Sequence, residues 1–253
     1  MIKIVLIGGG NVASHLANQF IDSKDVQLVQ IYNRNILKIE KFKSVTKITN
    51  DIQKLEKADI FIIAISDNAI SDFSKNLNLK DKLVVHTSGA MNLNCLKSDS
   101  KKGVFYPLQS FSKNIKIDFS KVPICIEAKN EKDYTLLEKL AKSLKSPVYN
   151  VSSEKREKLH VAAVFVNNFT NHLYYLGEEI CNSEKLPFDI LKPLIKETSN
   201  KIKNISPKDT QTGPARRNDT NTIKKHLNLL TKNQQEIYTL LSNSITKMYG
   251  EKL

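Results

Sequence analysis

A glycine cluster near the N-terminus constrains this chain more than any other stretch. An apolar run of strand length precedes it, and a helical pattern of apolar residues follows it. Gly8, Gly10 and Ala13 fit the pattern G-x-G-x-x-A, which permits a tight turn, close approach of a pyrophosphate and close helix–strand packing. The stretch therefore predicts a dinucleotide-binding unit, with Asn11 and Val12 at the helix start beside the phosphates. A tight turn without a ligand is the alternative.

The residues that follow the next predicted strand, Gln27–Tyr32, indicate which dinucleotide binds. NAD sites usually place Asp or Glu here to bind the ribose 2′-hydroxyl, whereas this chain has Asn33 and Arg34. A guanidinium can hold a 2′-phosphate through a planar set of donors, and a carboxylate would repel it. The sequence therefore predicts NADP(H), with Asn33 and Arg34 at the 2′-phosphate. An ordinary solvated arginine in a loop is the alternative.

The composition argues against several other classes of protein. The 253 residues suffice for one large domain or two small ones. No apolar run approaches the ~20 residues of a membrane span, and the N-terminus lacks a signal-peptide layout. The net charge of +13 comes from dispersed lysines, without a basic, aromatic-rich stripe, so we expect no nucleic-acid partner. Cys95, Cys125 and Cys181 lack metal-site spacing, so we expect a cytoplasmic protein with neither a metal nor a membrane partner.

Strands and helices alternate up to residue 151, and helical patterns alone follow. This order predicts an α/β fold: a parallel sheet with helices on both faces over 1–151, then an all-α domain over 152–253. Asp59–Ser66 is apolar on both faces, which predicts a central strand. Helices are predicted at about 51–57, 69–77, 131–144, 152–181, 188–205 and 220–249, with a loop over 206–218.

Two further strand ends are predicted to contribute to the site, because ligands of open α/β sheets bind at the carboxyl ends of strands. Ile65, Ser66 and Asp67 lie at the end of the central strand, where backbone groups would contact the nicotinamide ribose. Ser88 and Gly89 follow the next strand, where Gly89 would contact the cofactor and Ser88 would hold the reacting group. Helix capping is the alternative for the polar residues, and the pattern favours it for Ser66 and Asp67.

A polar stripe on the first long helix of the second half is the candidate for catalysis. At helical spacing His160 shares a face with Asn167 and Asn171, among otherwise apolar positions. Such a stripe is costly unless it is paired or lines a cleft, although a satisfied core histidine is the alternative. We predict that His160 donates or accepts the proton and that Asn167 or Asn168 holds the reacting group.

The stretch Thr212–Thr220 contains a Gly-Pro turn, and Asp219 or Thr220 is placed to cap the next helix. Turn formation and capping leave Arg216 and Arg217 unexplained. These arginines are suited to a carboxylate or phosphate, and we expect Arg217 to bind the anionic group of a small substrate.

Together these stretches resemble a family of oxidoreductases with a Rossmann-like N-terminal part and a C-terminal domain of unknown function 2520. The motifs span nearly the whole chain: Gly8–Val12, His86–Gly89, Phe105–Phe111, His160–Phe165 with Asn168 and Phe169, and Thr212–Pro214 with Arg217 and Asp219. The family is similar to pyrroline-5-carboxylate reductase and the 6-phosphogluconate dehydrogenase-like enzymes. In those enzymes the helical domain dimerises and completes the active site, so the resemblance implies a homodimer through the C-terminal helices.

The resemblance also implies that Thr212, Arg217 and Asp219 belong to a substrate-binding loop, although Asn218 stands where the family pattern has glycine. A second departure concerns the long helix. The related β-hydroxyacid dehydrogenases carry a catalytic lysine four residues before an asparagine, whereas Ala163 and Val164 precede Asn167 and Asn168 by four residues here. The acid–base mechanism of those enzymes therefore cannot be transferred to this chain.

Two functions remain open from the sequence. The first is an NADP-dependent oxidoreductase, a dehydrogenase or reductase acting on a small carbonyl, imine or hydroxy compound, with Ser88, His160 and Asn167 or Asn168 lining a cleft between the domains. The second is a non-catalytic NADP-binding sensor or scaffold. The missing lysine favours the second function, and the polar stripe around His160 favours the first.

Overall fold

Eight strands form a single sheet in the order β3-β2-β1-β4-β5-β6-β7-β8. The structure is a computed structural model that describes residues 1–113 and 115–249. The strands are β1 (Ile2–Ile7), β2 (Val26–Tyr32), β3 (Lys47–Thr49), β4 (Ile60–Ile63), β5 (Leu83–His86), β6 (Lys101–Pro107), β7 (Ile124–Ala128) and β8 (Val148–Asn150). The predicted α/β class is confirmed.

The sheet is parallel except where β6 and β7 pair antiparallel. Every residue of β4 is buried between β1 and β5, so the central strand predicted over 59–66 is confirmed. Ile7 at the end of β1 pairs with Tyr32 on one side and Ile63 on the other. The carboxyl ends of β1, β2 and β4 therefore meet at the same edge of the sheet.

Helices cover both faces of the sheet. They are α1 (Asn11–Asp22), α2 (Asp67–Lys75), α3 (Glu131–Ser143) and α4 (Ser153–Ala163). Successive residues of β1 point to opposite faces, so Leu6 joins an apolar cluster with Phe20 of α1, and Ile7 joins another with Ile70 of α2. Because α1 and α2 pack against opposite faces of β1, their N-termini lie near the carboxyl ends of the strands.

The helix predicted over 51–57 is wrong, because only a short 3₁₀ turn, Ile52–Lys54, forms there. The buried side chain of Gln30 on β2 accounts for the difference. Its Nε2 donates to the carbonyl oxygen of Lys54 at 3.0 Å, and its Oε1 accepts from the backbone N–H of Glu56 at 2.9 Å. The segment therefore bonds to a strand side chain instead of closing helical hydrogen bonds.

The chain divides into two compact units, Met1–Asn167 and the residues from Asn168 onward. The domain boundary expected near residue 151 stays a prediction. The described helices of the second unit are α5 (Thr170–Ser183), α6 (Lys192–Lys201), α7 (Pro207–Thr210), α8 (Thr220–Leu227) and α9 (Lys232–Tyr249). A π-helical turn, Val164–Phe169, stands between α4 and α5.

Three predicted segments of the second unit differ in detail. The helix expected over 188–205 is a 3₁₀ turn, Phe188–Leu191, followed by α6, which ends at Lys201. The loop expected over 206–218 contains the single turn α7, and the continuous helix expected over 220–249 is two helices. Gln235 of α9 donates through Nε2 to the carbonyl oxygens of Leu227 and Leu230, at 2.9 and 3.0 Å. These bonds satisfy carbonyl groups that a continuous helix would use, which stabilises the break.

Among the described residues, no helix combines the length and apolar character needed to cross a bilayer. The same residues contain no group of three or more His, Cys, Asp or Glu side chains arranged to hold a metal ion.

Candidate functional site

The turn after β1 requires glycine at one position and leaves open space at another. Gly8 has φ +140°, and a Cβ there would overlap the carbonyl oxygen of Ala64. A Cβ at Gly10 would meet nothing within 4 Å. Since α1 begins at Asn11 directly after this open position, its first backbone N–H groups are accessible to an anion.

The glycine turn opens into a cleft of about 1010 Å³ at the carboxyl ends of β1, β2 and β4. The volume suits a cofactor-sized ligand. The lining residues are Gly8, Gly9, Gly10, Asn11, Val12, Tyr32, Asn33, Arg34, Lys38, Ala64, Ile65, Ser66, Asn68, Ala69, Asp72, Phe73, Asn76, Thr87, Gln109 and Phe111. Eight of the ten predicted cofactor-binding residues are among them, and Asp67 and Gly89 are not.

Three polar side chains line the cleft after β2. Asn33 and Lys38 lie against the glycine turn, since a Cβ at Gly9 would be 3.0 Å from Cγ of Asn33 and 3.1 Å from Cβ of Lys38. Arg34 and Lys38 are exposed, and no described carboxylate is within ion-pair distance of either. The arrangement leaves two cations available for an anionic ligand.

Lys38 was missed from the sequence because its position depends on a local turn. Asn35 caps the 3₁₀ helix Ile36–Lys38 by accepting from the backbone N–H of Leu37 at 3.1 Å. This turn brings Lys38 back beside Asn33 and Gly9. The sequence feature that could have indicated this turn is the capping residue Asn35, three residues before Lys38.

A loop that follows β6 forms another wall of the cleft, and α1 holds it in place. Nδ2 of Asn11 donates to the carbonyl oxygen of Phe111 at 2.8 Å, and Nε2 of His15 hydrogen bonds the carbonyl oxygen of Ser112 at 2.9 Å. The rings of His15 and Phe111 are 5.1 Å apart. The side chain of Asn11 therefore positions this loop, while the backbone of α1 stays accessible. Gln109 and Phe111 lay in a motif of the resemblance but were not predicted as site residues.

The segment after β4 presents Ile65 and Ser66 to the cleft. Ser66 occupies the N-cap position of α2, yet its side chain makes no capping hydrogen bond. Asp67 lies in the first turn of α2. Ser66 thus has the expected capping position, but its hydroxyl is not engaged with the helix.

The segment after β5 holds Ser88 in a turn. Oγ of Ser88 accepts from the backbone N–H groups of Ala90 and Met91, at 3.2 and 3.0 Å. Ser88 is buried and does not line the cleft, although Thr87 beside it does. Its predicted role at the reacting group stays a prediction.

Gly89, Tyr106 and His160 form a compact cluster next to that turn. The hydroxyl of Tyr106 is 3.1 Å from Nδ1 of His160, and the two rings meet edge to face at 6.1 Å. A Cβ at Gly89 would be 2.7 Å from Nδ1 of His160 and 2.7 Å from Cζ of Tyr106. Burial raises the pKa of Tyr106 to about 12. Glycine at position 89 is therefore what lets the tyrosine and histidine meet.

A fully buried arginine fastens the start of α4 to the sheet. Nη1 of Arg156 donates to Oε2 of Glu127 at 2.6 Å, and Nη2 donates to the carbonyl oxygen of Met91 at 2.5 Å. Ser153 donates to the same carboxylate at 2.7 Å and accepts from the backbone N–H of Leu93 at 2.9 Å. His160 follows one turn later on α4. This network therefore fixes the position of the helix backbone that carries the His160 ring.

His86, at the end of β5, is a second buried histidine. Its Nδ1 accepts from the backbone N–H of Ser88 at 3.2 Å. Burial, and next the charge of Arg156, lower the pKa of His86 to about 4. His86 is thus neutral near pH 7 and shapes the turn that carries Ser88. The buried His86 and Arg156 and the partly buried Glu127 have no periodic signature in the sequence.

Asn167 and Asn168 lie in the π-helical turn, and both are exposed. The face predicted for His160 and Asn167 assumed 3.6 residues per turn, which does not hold through a π turn with its wider spacing. Their catalytic roles stay predictions.

Within the second unit, the two arginines of the predicted substrate loop differ in their surroundings. Arg216 donates to the carbonyl oxygen of Gln211 and lies over the ring of Tyr249 at 5.1 Å. Arg217 is exposed, and no described carboxylate is within ion-pair distance of it. Arg217 is therefore the arginine available to an anion.

The ends of this loop have local structural roles. Asp219 caps α8 by accepting from the backbone N–H of Thr222 at 3.0 Å and from its hydroxyl at 2.7 Å. Asn218 adopts φ +52°, which explains why glycine is suited to that position. Thr212 is exposed. The predicted substrate contacts of Thr212 and Asp219 stay predictions.

Two family models match the chain. The model described as NADP oxidoreductase, coenzyme F420-dependent, matches residues 3–89, and the domain of unknown function 2520 matches residues 122–245. None of the curated proteins matches the chain.

Solved structures give close matches over nearly the whole length. A protein designated an NADP oxidoreductase from Bacteroides fragilis is 38% identical, with a TM-score of 0.87, and the alignment covers 97% of this chain and 98% of that one. A reductive aminase from Aspergillus terreus, solved with NADPH and ethyl-5-oxohexanoate, is 11% identical with a TM-score of 0.71, covering 100% and 95%. An imine reductase from Myxococcus stipitatus, solved with NADP⁺, is 13% identical with a TM-score of 0.66, covering 98% and 93%.

The two reductases are similar to this chain in fold alone, whereas the Bacteroides protein is similar in sequence over the full length of both chains. The chain therefore belongs to the family of Rossmann-like NADP oxidoreductases whose C-terminal part is the domain of unknown function 2520.

Proposed function

We propose that this protein is an NADPH-dependent reductase of a small carbonyl or imine compound. The observation that carries the proposal is the cleft at the ends of β1, β2 and β4. There the accessible start of α1, the space at Gly10 and the cations of Arg34 and Lys38 line the same volume. These groups are suited to a pyrophosphate and a 2′-phosphate.

The residues of the cleft fit NADPH better than NADH. Asp72 is the sole acidic residue among the described lining residues, and its carboxylate pairs with Lys75 at 2.7 Å. No acid therefore stands after β2 to bind a ribose 2′-hydroxyl, whereas Asn33, Arg34 and Lys38 offer donors and positive charge. When bound, the reduced nicotinamide supplies the hydride.

His160 would serve the reacting atom as hydrogen-bond and proton donor. Nδ1 faces Tyr106, and no described residue hydrogen bonds Nε2. Gly89, which contacts this pair, is two residues from Thr87 on the cleft wall. Ser88, Asn167 and Asn168 are proposed to hold the substrate, and Arg217, with Thr212 and Asp219, to bind its anionic group.

We further propose a homodimer formed through the C-terminal helices. Exposed apolar side chains are frequent there, among them Ile190, Leu194 and Ile202, which are between 52% and 64% exposed. Apolar side chains that are exposed in such number are typical of a surface that binds another protein. The cytoplasmic location and the boundary at residue 151 also stay predictions.

A non-catalytic NADPH sensor is the second candidate. The positions four residues before Asn167 and Asn168 hold Ala163 and Val164, where related dehydrogenases have lysine. A sensor would bind NADPH through the same cleft without turnover.

The test is NADPH consumption, followed by absorbance, against aldehydes, ketones, keto acids and cyclic imines. Imines belong in the panel because an imine reductase and a reductive aminase share the fold. NADPH binding is measured in parallel by calorimetry. Turnover with any member supports the reductase, tight binding without turnover supports the sensor, and the absence of NADPH binding contradicts both.

A further inference from the structure

We propose that Tyr106 is a positioning residue that holds neutral His160 with its proton on Nε2, so that His160 presents a hydrogen-bond donor to the substrate. The inference rests on the proposed reductase function and deepens it. It assigns a role to a tyrosine near the carboxyl end of β6 that neither the family match nor the cleft explains.

The geometry around Tyr106 leaves its hydroxyl a single partner. The side chain is 8% exposed and packs with Leu93, Val104 and Cys125. Among the described residues, Nδ1 of His160 is the only group that hydrogen bonds the hydroxyl, at 3.1 Å. The hydroxyl would be left without a partner if this bond were lost, and that costs free energy in a buried setting.

The direction of the hydrogen bond follows from the two groups. Burial raises the pKa of Tyr106 to about 12, so the phenol keeps its proton near pH 7. A neutral imidazole has one nitrogen that accepts and one that donates. Because the phenol proton has Nδ1 as its acceptor, the proton of neutral His160 belongs on Nε2. The nitrogen that remains open to a ligand is thus the donor.

This tautomer selects the class of substrate. A donor at Nε2 pairs with the oxygen of an aldehyde or ketone, or with the lone pair of an unprotonated imine. It does not pair with a protonated iminium, which is itself a donor, and it cannot take the proton of an alcohol. The donor at Nε2 thus fits a neutral carbonyl or an unprotonated imine as the acceptor.

The proton balance is complete without another protein group. As the Nε2 proton passes to the substrate oxygen or nitrogen, Nδ1 takes the proton of Tyr106. A proton from water then returns to Nε2, and the Nδ1 proton returns to the phenol oxygen of Tyr106, which restores the starting tautomer. Gly89 keeps this path compact, because a Cβ there would be 2.9 Å from the hydroxyl of Tyr106.

The decisive experiment reads the tautomer directly. Protein labelled with ¹⁵N is examined by two-bond ¹H–¹⁵N correlation of the histidine rings near pH 7.5, without cofactor or substrate, and the His160 signals are assigned by their loss in His160→Gln. We expect the pattern of the Nε2–H tautomer. The Nδ1–H pattern in the unmodified protein would overturn the proposal, whatever its activity.

A pair of substitutions separates positioning from general packing. Tyr106→Phe removes the hydroxyl, so the ring of His160 should show a mixture of tautomers and kcat should fall at least about tenfold, with KM little changed. Tyr149→Phe is the matched control, since Tyr149 on β8 is 53% exposed and outside the site. An unchanged His160 tautomer in folded Tyr106→Phe would overturn the proposal. If the protein reduces no substrate, the reductase function fails while the tautomer result still decides the role of Tyr106.

Discussion

The two compact units differ in the extent to which they bury their apolar side chains. In Met1–Asn167 both faces of the sheet are covered, and two large clusters around β1 and β4 are buried. Among the described residues from Asn168 onward, Leu176 and Ala215 are the only buried hydrophobic ones. Large apolar side chains exposed there include Leu173, Ile180, Leu186, Ile190, Leu194, Ile202, Ile205, Leu229, Leu240, Leu241 and Met248.

The first unit therefore buries its own core, whereas the described residues of the second unit leave most of their large apolar side chains exposed. Fewer than one hundred residues with so little buried apolar surface lack a sufficient driving force for folding alone. In the proposed homodimer, a second copy would supply that burial. The first unit also contains the buried polar networks, so we expect catalysis and cofactor binding to depend on it and assembly to depend on the second.

The largest expected effect is the loss of turnover in His160→Ala, which tests whether catalysis depends on the first unit. His160→Ala should reduce turnover on a proven substrate by ~10²–10⁴, because it removes the positioned proton donor. NADPH affinity should hardly change, since His160 does not line the cleft. Steady-state kinetics and calorimetry measure the two quantities. Full activity in the variant would rule out the catalytic role.

The next effect tests the internal network of the first unit. Arg156→Met should lower the free energy of unfolding by about 3–5 kcal/mol, because Glu127 would keep a partly buried charge without its partner. Lys155→Met, at an exposed neighbouring position, should change it by less than about 0.5 kcal/mol. Urea unfolding measures both. Equal small effects would mean that the ion pair does not fasten α4.

Assembly should respond to charge on the second unit but not on the first. Leu194→Glu places a carboxylate among apolar residues and should weaken the dimer on the order of a hundredfold. Val45→Glu, at an exposed apolar position of the first unit, should leave it intact. Sedimentation equilibrium measures both variants. A monomeric parent protein at micromolar concentration would contradict the proposed interface.

Stability should fall in mildly acidic solution because of His86. Its pKa is about 4 in the folded protein and about 6.5 in the unfolded chain, so the unfolded chain takes up the proton first as pH falls. Stability is therefore lost between about pH 6.5 and pH 4, amounting to about 2 kcal/mol on going from pH 7.5 to pH 5. His86→Leu should lack this slope. The same pH dependence in parent and variant would show that another group is responsible.

An effect of similar size concerns cofactor choice. Arg34→Ala should weaken NADPH binding roughly tenfold or more and leave NADH binding nearly unchanged, because a 2′-phosphate contact of this type contributes about 1.5–3 kcal/mol. Lys43→Ala, a nearby exposed lysine outside the cleft, controls for loss of general charge. Calorimetry with both nucleotides distinguishes the cases. Equal losses for NADPH and NADH would exclude this role of Arg34.

Features set by local pattern could be predicted from the sequence. The glycine turn, the central strand, the alternation of strand and helix and the Asn33–Arg34 pair each depend on neighbours in the chain. The helix expected over 51–57 failed because a side chain from a distant strand, Gln30, takes its backbone hydrogen bonds. Lys38 was not predicted because its place beside Gly9 depends on a single 3₁₀ turn, Ile36–Lys38.

The sequence by itself determined the class of fold, the glycine turn after β1 and the positive charge after β2, because these features follow from short-range periodicity, glycine geometry and charge. The tertiary structure alone decided which groups meet. Tyr106 comes from β6, Gly89 follows β5 and His160 lies on α4, and their contact depends on strand order and on the ion pair of Arg156 with Glu127. Such contacts join residues that are far apart in the chain, so no local sequence pattern predicts them.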